Sequence, residues 1–117
     1  MHNQGIVHRD IKPDNVFIDE NNHLILGDLG LAVPITPAGK TFVPGEFCHW
    51  RLKDMAGTLQ YLSPEMWKGD PYDFSVDVWA YGFTVFEMMF GRVSGLGMIT
   101  ELPTYASTAA SLARKLR

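Results

Sequence analysis

No stretch of this 117-residue sequence is apolar for long enough to span a bilayer, and no signal-peptide pattern opens it. A membrane protein and a secreted precursor are therefore both unexpected. Cys48 is the single cysteine, so no internal disulfide can form; it reads as an incidental loop thiol in a reducing compartment. A basic surplus is also missing. Ten Lys and Arg stand against 13 Asp and Glu, a net charge of −3, whereas a nucleic-acid binder should be cationic. Repeats and low-complexity tracts do not occur. With 46% hydrophobic residues the chain is too apolar for intrinsic disorder. One domain at most remains, able to bury roughly two-thirds of its unfolded surface.

What the chain does contain is concentrated chemistry. The run His8-Arg9-Asp10-Ile11-Lys12-Pro13-Asp14-Asn15, followed by Asp28-Leu29-Gly30, places a base, a compact cation and two metal-binding groups close together. Phosphoryl transfer from a nucleotide needs that inventory: a carboxylate to receive the acceptor's proton, and oxygen ligands to hold Mg²⁺ against phosphates. Asp10 suits the first task, Asn15 and Asp28 the second, and the Lys12 ammonium could neutralise charge on the transferring group.

Local structure follows from pattern. Val16-Phe17-Ile18 and Leu24-Ile25-Leu26 flank the turn-forming Asp19-Glu20-Asn21-Asn22, which predicts a hairpin holding Asn15 near Asp28. Leu31-Ala32-Val33 reads as a short strand. Pro34, Pro37, Gly39, Pro44 and Gly45 then break the chain into an irregular stretch as far as Met55. Ser75 is expected to cap a helix with Val76, Trp79, Phe83, Phe86 and Phe90 on one face. Val78, Val85 and Met89 make that helix apolar nearly all round, hence buried. From Thr104 an alanine-rich run ending in Arg114, Lys115 and Arg117 suits a helix with a solvated, cationic end.

The His8–Asn15 run resembles the H-R-D-x-x-x-x-N catalytic loop of eukaryotic protein kinases of the serine/threonine type, and Asp28-Leu29-Gly30 stands where that family has D-F-G. Gly57-Thr58-Leu59-Gln60-Tyr61-Leu62-Ser63-Pro64-Glu65 is similar to the substrate-docking loop that closes with A-P-E. Asp77-Val78-Trp79-Ala80-Tyr81-Gly82 resembles the D-x-W-x-x-G opening of the central helix. The motifs occur in the family's order from His8 to Gly82. The turn after the central helix, at 93–98, departs from the family's x-P-F.

The resemblance implies a partial C-terminal kinase lobe over 1–117, mainly α with a small β-hairpin (α+β), with the N-terminal lobe absent and the lobe expected to be inactive when alone. Its parts would be a catalytic loop at 8–15, an activation segment at 28–65 and a central helix at about 75–90. Nothing ahead of His8 has room for a G-x-G-x-x-G phosphate cover or the lysine–glutamate pair, and Met1 reads as an internal methionine. The expected ligands are ATP, Mg²⁺ and a protein substrate, and the expected site is intracellular, cytoplasmic or nuclear. A partner for the lobe's upper face is also expected, since that face is normally covered.

Asp10 and Lys12 are the implied catalytic residues, with Asn15 and Asp28 binding metal and cofactor. Lys12 and Thr58 accompany serine/threonine specificity, and Gly57 and Thr58 belong to substrate docking. His8 and Leu29 would pack together as scaffold beneath the site. Asp77 would accept hydrogen bonds from the backbone near His8 and Arg9. Glu65 lacks the family's late arginine partner, for which Arg92, Arg114 and Arg117 are candidates. Arg9 would receive a phosphate on the activation segment, from Thr36 or Thr41. The family's usual phosphosite, three residues before the Gly-Thr pair, is Asp54 here, a carboxylate able to order the loop partly without modification. Two alternatives stand beside this reading: a non-catalytic, pseudokinase-like interaction module, and a small-molecule phosphotransferase, which would lack the docking loop.

Overall fold

The computed structural model describes residues 1–46 and 48–91. The helix expected from Thr104, the turn at 93–98 and the arginines proposed for Glu65 lie outside them.

Four short strands form two antiparallel pairs: β1 (Ile6–Val7) with β4 (Val33–Pro34), and β2 (Val16–Ile18) with β3 (Leu24–Leu26). The β2–β3 hairpin matches its sequence pattern, in register Val16↔Leu26. Asp19 builds its turn by accepting the N–H groups of Asn21 and His23 at 2.8 Å each, while Asn22 takes a left-handed φ of 62°. The strand expected at 31–33 is displaced to Val33–Pro34, because its partner is the remote Ile6–Val7. Pro34 has no N–H, so it suits this edge position.

Two α-helices complete the described fold, α1 (Pro64–Lys68) and α2 (Ser75–Phe90). The α+β class is as expected, but "mainly α" overstates the helical share: strands, 3-10 turns and irregular segments position most of the loops. α1 obeys simple end rules. Pro64 is at its start and Gly69 at its end with φ 72°, where the Asp70 N–H reaches back to Glu65 O at 2.9 Å.

α2 begins as expected but is capped differently. Phe74 is the N-cap, and Asp73 Oδ1 accepts the Ser75 N–H at 2.9 Å, while the Ser75 hydroxyl donates to Glu65 at 3.2 Å. Ser75 cannot cap because it already lies inside the first turn. Its buried face runs through Val76, Ala80, Phe83 and Glu87, at i, i+4, i+7 and i+11. Trp79 and Phe86 are only half-buried, and Phe90 is 68% exposed. The all-round burial expected of α2 is therefore corrected: Tyr81, Met88 and Met89 are exposed too, since only one face meets the described docking segment.

The main core comprises Val7, Ile35, Leu62, Met66, Tyr72 and Val76, flanked by Phe42, Trp50, Leu52 and Phe74. A second cluster joins Tyr61, Ala80 and Phe83, with Ile11 against it. Residues from before the hairpin, from the segment 57–66 and from α2 thus pack in the interior, and the loop 8–15 lies on top of it.

Candidate functional site

The loop 8–15 is held from below by α2. Asp77 is 1% exposed, and a carboxylate buried to that degree needs donors. It has three. The His8 and Arg9 backbone N–H groups donate to its two oxygens at 2.8 Å each, and His2 Nε2 lies 2.7 Å from Oδ2. Pointing two successive N–H groups at one carboxylate requires an unusual backbone, and Arg9 supplies it with φ 69°. His8 is buried and oriented at both nitrogens. Nδ1 accepts the Asp10 N–H at 3.2 Å, which leaves Nε2 to carry the proton and donate to Gly27 O at 3.0 Å. One imidazole therefore ties the loop to the residue before Asp28.

Above this support Asp10 collects three side chains. Thr58 donates its hydroxyl to Asp10 Oδ1 at 2.7 Å, and Lys12 Nζ donates to the same Thr58 oxygen at 2.7 Å. Lys12 Nζ also lies 3.3 Å from Asp10 Oδ2, and Asn15 Nδ2 donates to that oxygen at 3.1 Å. Burial alone would raise the Asp10 pKa, but the bonds from Thr58, Lys12 and Asn15 outweigh it and hold the carboxyl below its ordinary range. It is an ionised acceptor at neutral pH. A carboxylate has about four lone-pair sites, so this one can still take a further donor.

Asn15 is settled by the same bonds. Its Nδ2 also donates to Asp10 O at 2.8 Å, which fixes the amide and leaves Oδ1 as its free ligand atom. The Gly27 N–H donates to Asn15 O at 2.8 Å, so the hairpin brings the residue preceding Asp28 onto Asn15. Asp28 itself is exposed, adopts a left-handed φ of 52°, and uses Oδ1 to accept the Gly30 N–H at 3.2 Å. An amide oxygen and an exposed carboxylate are hard donors and fit Mg²⁺, which is commonly held by one or two protein groups plus water and phosphates. Among the described residues no cluster of three His, Cys, Asp or Glu forms a protein-only metal cage.

Gly57 sets the loop 57–65 on Arg9. Its φ is 115°, and a Cβ there would meet Arg9 O at 2.4 Å, so only glycine permits this approach. Thr58 is thereby placed over Asp10.

The Arg9 side chain, 6% exposed, donates through Nε to Leu31 O at 2.8 Å and through Nη1 to Tyr72 Oη at 3.2 Å and to the Asp54 carboxylate. Burial opposes its charge, but Tyr72 and Asp54 more than offset that and raise its pKa. Thr36 is half-buried and Thr41 exposed. Neither is among the Arg9 partners just given.

One placement departs from expectation. Leu29 is not scaffold beneath the site: it is 58% exposed, whereas His8 is buried. Among the described residues Glu65 is half-buried and accepts from the Ser75 hydroxyl of the next helix. Tyr72, His2 and the buried bond from Tyr61 Oη to Glu87 were not singled out from the sequence at all. Their partners lie 63, 75 and 26 residues away, and no local pattern marks such pairs.

Comparison with known proteins agrees with this geometry. The family described as protein kinase domain matches residues 1–99. The chain is 41% identical over 103 residues to protein kinase C zeta type of Oryctolagus cuniculus, covering 88% of this chain. It is 44% identical over 93 residues to the rhodopsin kinase grk7-b of Danio rerio, covering 80% of this chain. The aligned parts amount to 16% and 15% of those two relatives.

Proposed function

This chain belongs to the protein kinase domain family, and from that premise we propose that its loops transfer the γ-phosphoryl group of ATP to serine or threonine hydroxyls of protein substrates. The observation that carries the reading is the Asp10 carboxylate, bonded at once to the Thr58 hydroxyl, the Lys12 ammonium and the Asn15 amide. Asp10 accepts the substrate hydroxyl as a hydrogen-bond donor and turns its oxygen toward phosphorus. As the new P–O bond forms and the bond to the leaving ADP oxygen breaks, the hydroxyl proton passes to Asp10. A carboxylate held below its ordinary pKa is a weak base, so orientation is its larger contribution and the proton moves late, as suits a loose transition state. Lys12 places a positive charge beside Asp10, where the transferring group's charge must be balanced.

Thr58 joins the docking loop to both groups, which supports the serine/threonine assignment that Lys12 and Thr58 carry together. Asn15 Oδ1 and the Asp28 carboxylate would hold Mg²⁺, which when bound neutralises the nucleotide phosphates. The protein's use of ATP supports an intracellular site, which we propose is the cytoplasm or nucleus. No helix of the described residues is long and apolar enough to cross a membrane.

The test is a phosphotransfer assay with labelled ATP, Mg²⁺ and a basic protein substrate on a complete two-lobed domain that carries this chain, since the lobe alone is expected to be inactive. Label on substrate serine or threonine that disappears in Asp10→Asn is the expected result. Transfer that persists in Asp10→Asn, or transfer only to a small molecule, would overturn the reading.

A further inference from the structure

Tyr72 belongs to none of the sequence motifs, yet it is 2% exposed and its hydroxyl sits between an arginine and an aspartate. A hydroxyl has one hydrogen. The distances give it to Asp54 O at 2.6 Å, with Asp54 Oδ1 the weaker alternative at 3.4 Å. The Tyr72 lone pairs are then free to accept from Arg9 Nη1 at 3.2 Å. Arg9 thus meets two oxygen acceptors on this side, one carrying a full charge and one a hydroxyl.

The same stretch is tied down by its backbone. Leu52 and Tyr72 exchange N–H···O bonds at 2.8 and 2.9 Å, and Arg51 Nη2 lies 3.5 Å from Asp73 Oδ2. Arg51 to Asp54 therefore runs alongside Tyr72 and Asp73, just ahead of the Gly57-Thr58 pair that reaches Asp10. A guanidinium only 6% exposed is costly to leave without a counter-charge.

We propose that this segment is held in its working conformation without phosphorylation, by a latch in which the Asp54 carboxylate and the Tyr72 hydroxyl together do for Arg9 what a phosphate would do. The consequence for catalysis rests on the kinase reading; the latch itself rests on geometry alone. Asp54 brings about one negative charge where a phosphate brings about 1.5 to 2. Tyr72 supplies the acceptor that the smaller anion lacks, and its donation to Asp54 O fixes the aspartate's backbone so that its carboxylate faces Arg9. Burial raises the Tyr72 pKa, so the hydroxyl keeps the proton it donates. Tyr72 is a positioning residue here; it touches no reacting atom.

The experiment is hydrogen exchange on the full chain, confirmed as unphosphorylated by intact mass, with α2 amides as the folding reference. The Leu52 and Tyr72 amides should be protected in the unmodified protein. Asp54→Asn removes a 65%-exposed charge and Tyr72→Phe a single oxygen, so neither should disturb α2. Each should speed exchange at Leu52 and Tyr72 about tenfold. Exchange at unfolded-chain rates in the unmodified protein, or rates unchanged in either variant, would overturn the proposal. A phosphotransfer assay on a complete two-lobed domain that carries this chain, likewise unphosphorylated, separates the two readings. Protection without any transfer sinks the kinase reading and leaves the latch; transfer that appears only after phosphorylation sinks the latch.

Discussion

The Gly57 backbone approaches Arg9 so closely that a side-chain carbon at 57 would stand 2.4 Å from the Arg9 carbonyl oxygen. This contact is how the docking loop is brought over the loop that carries Asp10. Gly57→Ala combines a forbidden contact with a φ of 115° that L-residues avoid. The expected outcome is a loss of about 2–3 kcal/mol in stability, read by urea denaturation, and a larger loss of transfer activity. Unchanged denaturation and activity would mean that the two loops are not coupled through this contact.

Asp77→Asn tests the support beneath the loop. The substitution keeps shape, but one carboxylate oxygen becomes an NH₂ group facing the backbone N–H of His8 or Arg9. A buried donor is then left without an acceptor. The cost should be about 3 kcal/mol, from a lost charge-assisted bond plus the unsatisfied group. His2→Ala should cost less, since His2 is 39% exposed and water can replace it. Equal losses in the two variants would contradict this division.

Acid sensitivity follows from Asp10 and Asp54. Both have pKa values lowered in the folded chain, Asp10 by Thr58, Lys12 and Asn15 against the opposing effect of burial, Asp54 foremost by its hydrogen bond to Arg9. The unfolded chain therefore binds protons more readily at these groups. Their contribution is fully present above the ordinary carboxylate value of about 3.9 and is lost as pH falls through the lower folded values. The melting temperature should owe no slope to them between pH 8 and about pH 5, and should fall below about pH 4. Thr58→Val removes the largest bond to Asp10, so it should lower stability at neutral pH and leave a smaller acid loss below about pH 4. A melting curve for Thr58→Val that follows the wild type at every pH would refute the assignment.

Asp10→Asn should leave the fold intact, because an amide oxygen in the Oδ2 position still meets Lys12 and Asn15 and the Thr58 hydroxyl can turn to accept from the new NH₂, while the proton acceptor is gone. Transfer should drop by about 10²–10⁴-fold with little change in melting temperature. A comparable fall in stability would make Asp10 a structural residue first.

The hairpin gives a contrasting case. Ile18 and Leu24 are 68% and 70% exposed, so Ile18→Thr with Leu24→Lys should change stability by only about 0.5 kcal/mol. Self-association, measured by sedimentation, should decrease as this apolar surface is broken. A collapse in stability would show that the hairpin is buried in solution.

Much of this was legible because it is local. The hairpin and α2 follow from two aliphatic runs around a turn and from helical spacing within windows of ten to sixteen residues, and the five-residue step from Asp10 to Asn15 lets one loop bond to itself. The end rules for α1 were equally available in Ser63-Pro64 and Gly69. What could not be read depends on distant pairs. Val33–Pro34 is a strand only because Ile6–Val7 lies beside it, and Tyr72 matters only because the chain folds Asp54 and Arg9 onto it. The face of α2 that becomes core was misjudged for a related reason: apolar spacing marks Phe90, but burial goes where partners exist, to Ala80 and Glu87.

The span of the Asp77 bonds bears on how the molecule forms. Its partners lie 68, 69 and 75 positions earlier in the chain, so they cannot be made until a loop of that size has closed. Strand pairing within 16–26 and the turns of α2 need no such closure and can form early. The loop bearing Asp10 acquires its shape only when α2 docks, which makes the reactive constellation a late product of folding. A population with helix and hairpin in place would still lack it. Catalytic competence during refolding should therefore lag behind the recovery of helical signal.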